Sequence, residues 1–278
     1  MVTAHNFAGF STHNQAFFPE NLTEKLAFIR QLGFDGYEID GRLLVNNLDA
    51  VKAAVAATGL PVSSACNGYT GWIGDVDDER RLTAVGEISA ILRALAEVGG
   101  VGVVVPAAWG LWPYPHLTPF PRTTAADFAA VSASLVALDQ VAAATGTTVF
   151  LEPLNRYQDH MINHLSDAAR YISENELAHV QINADFYHMH QEEDDISQAL
   201  RHQGNLVGHV HLADGHRYVP GSGPIDFPRH FATLREIGYS GWLVFECLMR
   251  GDDLAATYAE SLRYVRACWD QTPSVTRR

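Results

Sequence analysis

The sequence has little cysteine. Three residues in 278, Cys66, Cys247 and Cys268, are too few for a disulfide framework and lack the paired spacing of a metal site. They read as reduced thiols of a cytoplasmic protein, with Cys66 and Cys247 as small buried fillers at strand ends. Long apolar runs are missing too: no stretch of about 18 uninterrupted apolar residues occurs, so no membrane-spanning helix is expected. The opening MVTAHNFAGF carries neither the basic nor the apolar segment of a secretion signal. Positive charge is scarce, with 19 Lys and Arg against 32 Asp and Glu, a net of −13. That balance opposes attachment to nucleic-acid backbones and anionic membranes, and leaves small neutral substrates open. No GxGxxG follows the first apolar run, which removes the commonest use of an open doubly wound sheet.

What is present is alternation. Short apolar or β-branched runs recur at 5–11, 37–40, 62–66, 101–108, 148–154, 180–185, 207–214 and 242–248, separated by longer amphipathic segments. Several of those segments stop at a glycine, at Gly33, Gly59, Gly99, Gly146 and Gly238, as helices ending in a left-handed residue do. Apolar residues make up 47% and charged residues 18%, enough for one large core. Eight strand–helix units predict an α/β fold, a single (β/α)8 TIM barrel over residues 1–270 with 271–278 as a loose tail.

Side chains alternate across a strand, so each run can be split into two faces. Phe150 and Glu152 oppose Val149 and Leu151; Gln181, Asn183 and Asp185 oppose Ile182 and Ala184. His209 and His211 oppose Val210 and Leu212; Val244 and Glu246 oppose Leu243 and Phe245. With the apolar faces turned to the helices, four successive strands aim Glu152, Asp185, His211 and Glu246 at the C-terminal mouth, where barrel active sites lie. Three carboxylates gathered without compensation would repel and raise one another's pKa values. A divalent cation removes the conflict, and carboxylate oxygens with one imidazole suit Mn²⁺, Mg²⁺ or Co²⁺. Taken singly, each acid has another reading, as a helix cap or the partner of a nearby arginine.

The segments LEPLNRY, DFYHMHQEED, GHVHLADGHRYVPGSGPIDF and GYSGWLVFE resemble the xylose isomerase-like barrels grouped as sugar phosphate isomerases and epimerases, especially the ketose 3-epimerase and hydroxypyruvate isomerase branch. The likeness spans nearly the whole chain and is densest from 149 to 248. It implies one divalent metal ion, Mn²⁺ first, held by Glu152, Asp185, His211 and Glu246, the four that strand parity selects. It implies that His188 and Arg217 orient the substrate and hold a developing enediolate oxygen. The implied chemistry is proton removal next to a carbonyl of a free ketose or oxo-sugar, with Glu152 and Glu246 on opposite faces of the reacting carbon. Return of a proton from the far side is epimerisation; transfer between adjacent carbons is aldose–ketose isomerisation. A homo-oligomer is expected. The superfamily also holds apurinic endonucleases, whose basic face the acidic balance here opposes.

The pattern has departures. Ketose 3-epimerases usually carry NRYE where this chain has NRYQ, so Gln158 replaces a charge in the substrate shell, and Asp159 and His160 follow it. The segment SSACNGYTGWIGDVDDERR is similar to the large subunits of bacterial C-glycoside deglycosidases, barrels that act on 3-oxo-glucosides together with a small partner subunit. That similarity implies a carbon–carbon lyase as the alternative outcome, in a hetero-oligomer. His160 then reads as an acid or base, or as a hydrogen-bonded shell residue. The stretch WGLWPYPHLTPFPR opens on Trp109 and either walls a partly apolar ligand or packs on itself. Glu38 ends the second strand and meets either a sugar hydroxyl or a salt-bridge partner. His209 reads as a satisfied interior histidine, and His5 and His13 fall in the first-strand region. Gly221, Ser222 and Gly223 read as the turn before a helix capped by Asp226, and the lack of a basic cluster there argues for a non-phosphorylated substrate. The run EEDD at 192–195 reads as the negative first turn of a helix.

Overall fold

Eight parallel strands close into a barrel in chain order: β1 (Val2–Asn6), β2 (Gly36–Asp40), β3 (Val62–Cys66), β4 (Gly102–Pro106), β5 (Thr148–Glu152), β6 (Val180–Asp185), β7 (Val207–Leu212) and β8 (Trp242–Phe245). The barrel shuts where β1 meets β8, with Val2 opposite Trp242 and His5 opposite Phe245. The computed structural model describes residues 17–109 and 124–271, together with the backbone of 2–6. His13, the aromatic loop beyond Trp109, the side chain of His5 and the tail from 272 onward lie outside the described residues.

Helices cover the strands: α1 (Leu22–Gln31), α2 (Gly41–Asn46), α3 (Leu48–Thr58), α4 (Asp78–Val98), α5 (Ala125–Thr145), α6 (Leu165–Glu174), α7 (Phe186–Glu192), α8 (Ile196–Gln203), α9 (Phe227–Glu236) and α10 (Leu254–Gln271). Local sequence sets their ends. Asn21, Asp77, Thr124, Asp195 and Asp226 each accept a backbone N–H three residues on, satisfying donors that a first helical turn leaves open. Gly59, Gly99 and Gly146 end α3, α4 and α5 at φ of 67°, 76° and 68°. By length and composition α5 is apolar enough to cross a membrane. Here it lies on the barrel with Val131, Leu135, Leu138 and Ala142 buried.

Strand residues divide between two cores, as their parity requires. Val149, Leu151, Ile182, Ala184, Val210, Leu212, Leu243 and Phe245 are buried between strands and helices. Each large side chain among them contributes roughly 2 kcal/mol through the apolar area removed from water. Inside the barrel, Cys66, Val104 and Phe150 form a separate small cluster, and His209 stacks on Phe150 with ring centroids 4.6 Å apart. The barrel interior is thus filled, and polar groups at its C-terminal end face a mouth rather than a pore.

Several boundaries differ from the sequence reading. The described part of the first strand is 2–6, which carries the ladder to β2 and β8 and begins before the expected run at 5–11; residues 7–11 lie outside the described residues. Strands β4, β5, β7 and β8 stop at Pro106, Glu152, Leu212 and Phe245, short of their apolar runs; the residues beyond leave the ladder to form the mouth loops. The acidic run is not a first turn: α7 ends at Glu192, and Asp195 caps α8. Glu192 and Glu193 reach back to the loop after β5, where Glu192 accepts a fork from Arg156 and Glu193 accepts the N–H of Leu165 at 2.8 Å. The last helix continues through Gln271, the first residue of the expected tail.

Candidate functional site

Glu152 and Asp185 are the last residues of β5 and β6, His211 is the last but one of β7, and Glu246 is the first beyond β8. Strand register sets Asp185 opposite His211, and Glu246 lies two residues beyond Val244, the residue opposite His211. One donor atom from each of the four lies within 4.8 Å of every other, and all four residues are buried. The single-residue readings hold as well for Asp185 and Glu246. Asp185 caps α7 by accepting the N–H of Tyr187 at 2.8 Å on Oδ1, which leaves Oδ2 for the cluster. An arginine is present too.

That arginine is Arg217, one of whose guanidinium nitrogens bonds Asp185 while the other lies 2.6 Å from Glu246. Its backbone sits in the left-handed region at φ 63°, a conformation costing about 1–2 kcal/mol for a non-glycine residue. Two backbone bonds hold it there: its N–H donates to Asp214 O at 2.8 Å, and its carbonyl accepts from Leu248 N–H at 2.6 Å. His211 Nδ1 lies 2.5 Å from Glu246 Oε2, 3.3 Å from Glu152 Oε1 and 3.8 Å from Asp185 Oδ2. Three carboxylates therefore face one guanidinium and one imidazole. Even with His211 protonated, the group keeps an excess negative charge. An oxygen-rich, buried set with that excess fits a divalent cation.

The acids are not electrostatically equivalent. Burial raises the Glu152 carboxyl above its ordinary range, and Glu246 and Asp185 push the same way against the opposing His211. Burial also disfavours ionised Glu246, but Arg217 and His211 hold it below its ordinary value. For His211 burial opposes the charge, while Glu246 and Glu38 outweigh burial and raise its pKa. His188 behaves differently. Its Nδ1 accepts the backbone N–H of Asn155 at 3.0 Å, so the hydrogen sits on Nε2, which lies 3.8 Å from Asp185 Oδ2. Burial pushes its pKa down to about 3, so it is a neutral donor.

A cavity of about 430 Å³ opens over these groups. Glu152, Glu246, His188, Arg217 and Gln158 line it together with Cys66, Trp72, Pro106, Trp109, Leu154, Asp40 and Asn67. Two of the candidates for substrate contact lie outside the lining. Glu38 is fully buried beneath the acids, where it accepts from Ser64 Oγ at 2.7 Å and from His209 Nε2 at 2.9 Å. It takes the ion-pair alternative and not the sugar contact, since it is fully buried, is not part of the cavity lining and pairs with His209 and His211. His160 is half-buried on the loop after β5, where burial lowers its pKa. His209 is the satisfied interior histidine.

Two residues that shape the site escaped sequence reading. Asn183 Nδ2 donates to Glu152 Oε1 at 2.8 Å and so orients that carboxylate; its inward parity in VQINAD was the available signal. Asp214 accepts the N–H groups of Gly215, Gly221 and Ile225. The Gly221–Gly223 turn therefore wraps a carboxylate, and those N–H groups are taken before any phosphate could use them.

The chain matches the xylose isomerase-like TIM barrel family over residues 26–268. It is 58% identical over 259 residues to the 3-dehydro-D-guloside 4-epimerase of Escherichia coli (strain K12), covering 92% of this chain and 98% of that protein. It is 26% identical over 249 residues to the L-ribulose 3-epimerase of Mesorhizobium japonicum, covering 88% of this chain and 80% of that one. The crystal structure of a 3-keto-D-glucoside 4-epimerase from E. coli, in its apo form, superposes with a TM-score of 0.90 at 56% identity, covering 96% of this chain and 100% of the other.

Proposed function

This chain belongs to the xylose isomerase-like TIM barrel family and is a sugar epimerase, and from that premise we propose that it inverts C4 of a 3-oxo-glycoside. The observation that carries the reading is the convergence of Glu152 and Glu246 in one buried donor group at the barrel mouth. The 4-epimerase relative, more than twice as similar as the ketose 3-epimerase, supports the choice of carbon.

Glu152, Asp185, His211 and Glu246 would hold one divalent cation, Mn²⁺ before Mg²⁺ or Co²⁺. When bound, that ion polarises the C3 carbonyl and makes the neighbouring C4–H acidic. Glu152 and Glu246 flank the reacting carbon. One carboxylate removes the C4 proton and the other carboxyl delivers a proton to the opposite face, so the configuration inverts. Charge left on the C3 oxygen is met by the Nε2–H of His188 and the guanidinium of Arg217. Gln158 in place of a glutamate accords with a neutral sugar lying close to it. The lyase alternative shares the proton removal but must expel an aglycone and recruit a small subunit; the epimerase relatives favour inversion.

Proton NMR in D₂O tests the reading, using Mn²⁺-loaded protein, manganese removed before spectra, and a panel of 3-oxo-glucosides and ketoses. Deuterium at C4 with growth of the C4 epimer is the expected result. Exchange confined to C3 of a ketose would overturn the substrate, and aglycone release would assign the lyase. Glu246→Gln should abolish exchange with an unchanged circular dichroism spectrum; undiminished exchange removes Glu246 from the mechanism.

A further inference from the structure

We propose that Trp72 and Trp109 form a subsite for a ring-shaped substituent on the anomeric carbon, the aglycone side of the oxo-glycoside. The proposal rests on the C4 reading above. In a pyranose ring C1 lies diagonally across from C4. A sugar whose C4–H sits between Glu152 and Glu246 therefore points C1 and its substituent away from those acids. The acids end β5 to β8, and the cavity continues toward the ends of β3 and β4.

There the wall changes character. Cys66, Trp72, Pro106 and Trp109 replace the ionic groups, and the two indoles stand 6.3 Å apart at an interplanar angle of 53°. Trp109 is 55% exposed, an unusual position for so large an apolar surface on a cavity wall. Asp40 and Asn67 stand at the same end of the cavity and offer polar atoms to the hydroxyls of a glycoside.

The platform is built before any ligand arrives. Trp72 follows β3 and Trp109 follows β4, and the two loops are joined by the Gly74 N–H donating to Ala107 O at 2.8 Å. The adjoining Ile73 is fully buried, and its carbonyl accepts from Ser134 Oγ at 2.8 Å. Any side chain at Gly74 would meet Ala107 O at 2.9 Å and Met161 Sδ at 2.5 Å, so the junction admits only glycine. Tyr69 packs edge-on against Trp72 with centroids 5.8 Å apart. Trp72, held by Tyr69, with Trp109 beside it presents flat apolar faces to a ring, either an arene or the C–H face of a second sugar, at a reduced ordering cost on binding.

Calorimetric binding to the Mn²⁺-loaded full chain tests the subsite with methyl glucoside, phenyl glucoside and a glucosyl disaccharide, none of which carries the C3 carbonyl needed for reaction. The readout is the ratio of affinities, ring-bearing ligand over methyl glucoside. We expect a ratio of about ten in the parent protein from stacking on two indoles, falling below about two in Trp72→Ala and Trp109→Ala. Trp72→Phe and Trp109→Phe, which keep a flat ring, should retain most of it. Preference for the phenyl glucoside alone supports an arene in the subsite, and preference for both supports a ring of either kind. A parent ratio near one, or an alanine variant with the parent ratio, overturns the proposal. Failure of methyl 3-oxo-glucoside to exchange at C4 would sink the underlying reaction instead, whatever the ratio.

Discussion

Glu38 grips His211 by the ring nitrogen that the acid cluster does not use. His211 Nε2 lies 3.1 Å from Glu38 Oε1 and donates to Oε2 at 3.4 Å, while Nδ1 turns to the three carboxylates. Burial would raise the Glu38 pKa, but His211 and His209 hold it well below the carboxylate range, so Glu38 accepts and never donates. Glu38 thus holds the Nε2 hydrogen, and the hydrogen on Nδ1 is the one a cation would displace, so Nδ1 is the atom able to ligate. Glu38→Gln should weaken Mn²⁺ binding by roughly 10- to 100-fold in calorimetry. Unchanged affinity would leave Glu38 a packing residue only.

His188 is fixed as a donor by the same logic applied in reverse, since the Asn155 N–H occupies its Nδ1. With its pKa pushed down to about 3 by burial, it stays neutral across the whole working range. His188→Ala should lower kcat by about 100-fold or more, as removal of a donor to a developing oxyanion does. The pH profile should keep its acidic limb at the same position, because that imidazole never titrates there. A limb that moves in the variant would contradict the neutral donor.

Arg217 spans two acids that come from different strands, with Asp185 on one nitrogen and Glu246 on another. A lysine keeps the charge but offers a single point where the fork offers two. Arg217→Lys should cut kcat by roughly tenfold or more while the protein unfolds at a similar denaturant concentration. Activity within twofold of the parent would show that charge alone is required.

The four clustered residues were legible in the sequence because a strand has a period of two and an ionisable residue on its inward face stands out among valines and leucines. Asp185 illustrates how far that reasoning reaches: its parity, its cap on α7 and its neighbouring arginine are all real at once. Glu38 marks its limit. Its place near the end of the second strand left a sugar contact and a salt bridge equally open, and only its three-dimensional position, paired with His211 and outside the cavity lining, decides between them. The EEDD run misled because charge at a helix boundary looks the same whether it belongs to the helix behind or the helix ahead. Asp214 had no signal at all, since the N–H groups it gathers lie up to eleven residues further along a loop.

Asp159 carries the last prediction, one about stability and not about the reaction. Its Oδ1 accepts the N–H of Met161 at 2.9 Å, whereas Oδ2 is buried without a hydrogen-bond partner. Burial pushes its pKa up to about 7 even though backbone N–H groups, Met161 first, favour the ionised form. In an unfolded chain the same carboxyl titrates near ~3.9. The folded state therefore binds the extra proton between those values: the stabilisation is complete below pH of about 4 and is lost as pH rises through about 7. Asp159→Asn keeps an acceptor for Met161 and removes the charge. The variant should exceed the parent in stability at pH 8 by up to about 4 kcal/mol in urea unfolding, with the difference shrinking toward zero near pH 4. Other titrating groups are common to both proteins and cancel, so a difference that does not change with pH would mean that Asp159 is not buried as a lone carboxyl.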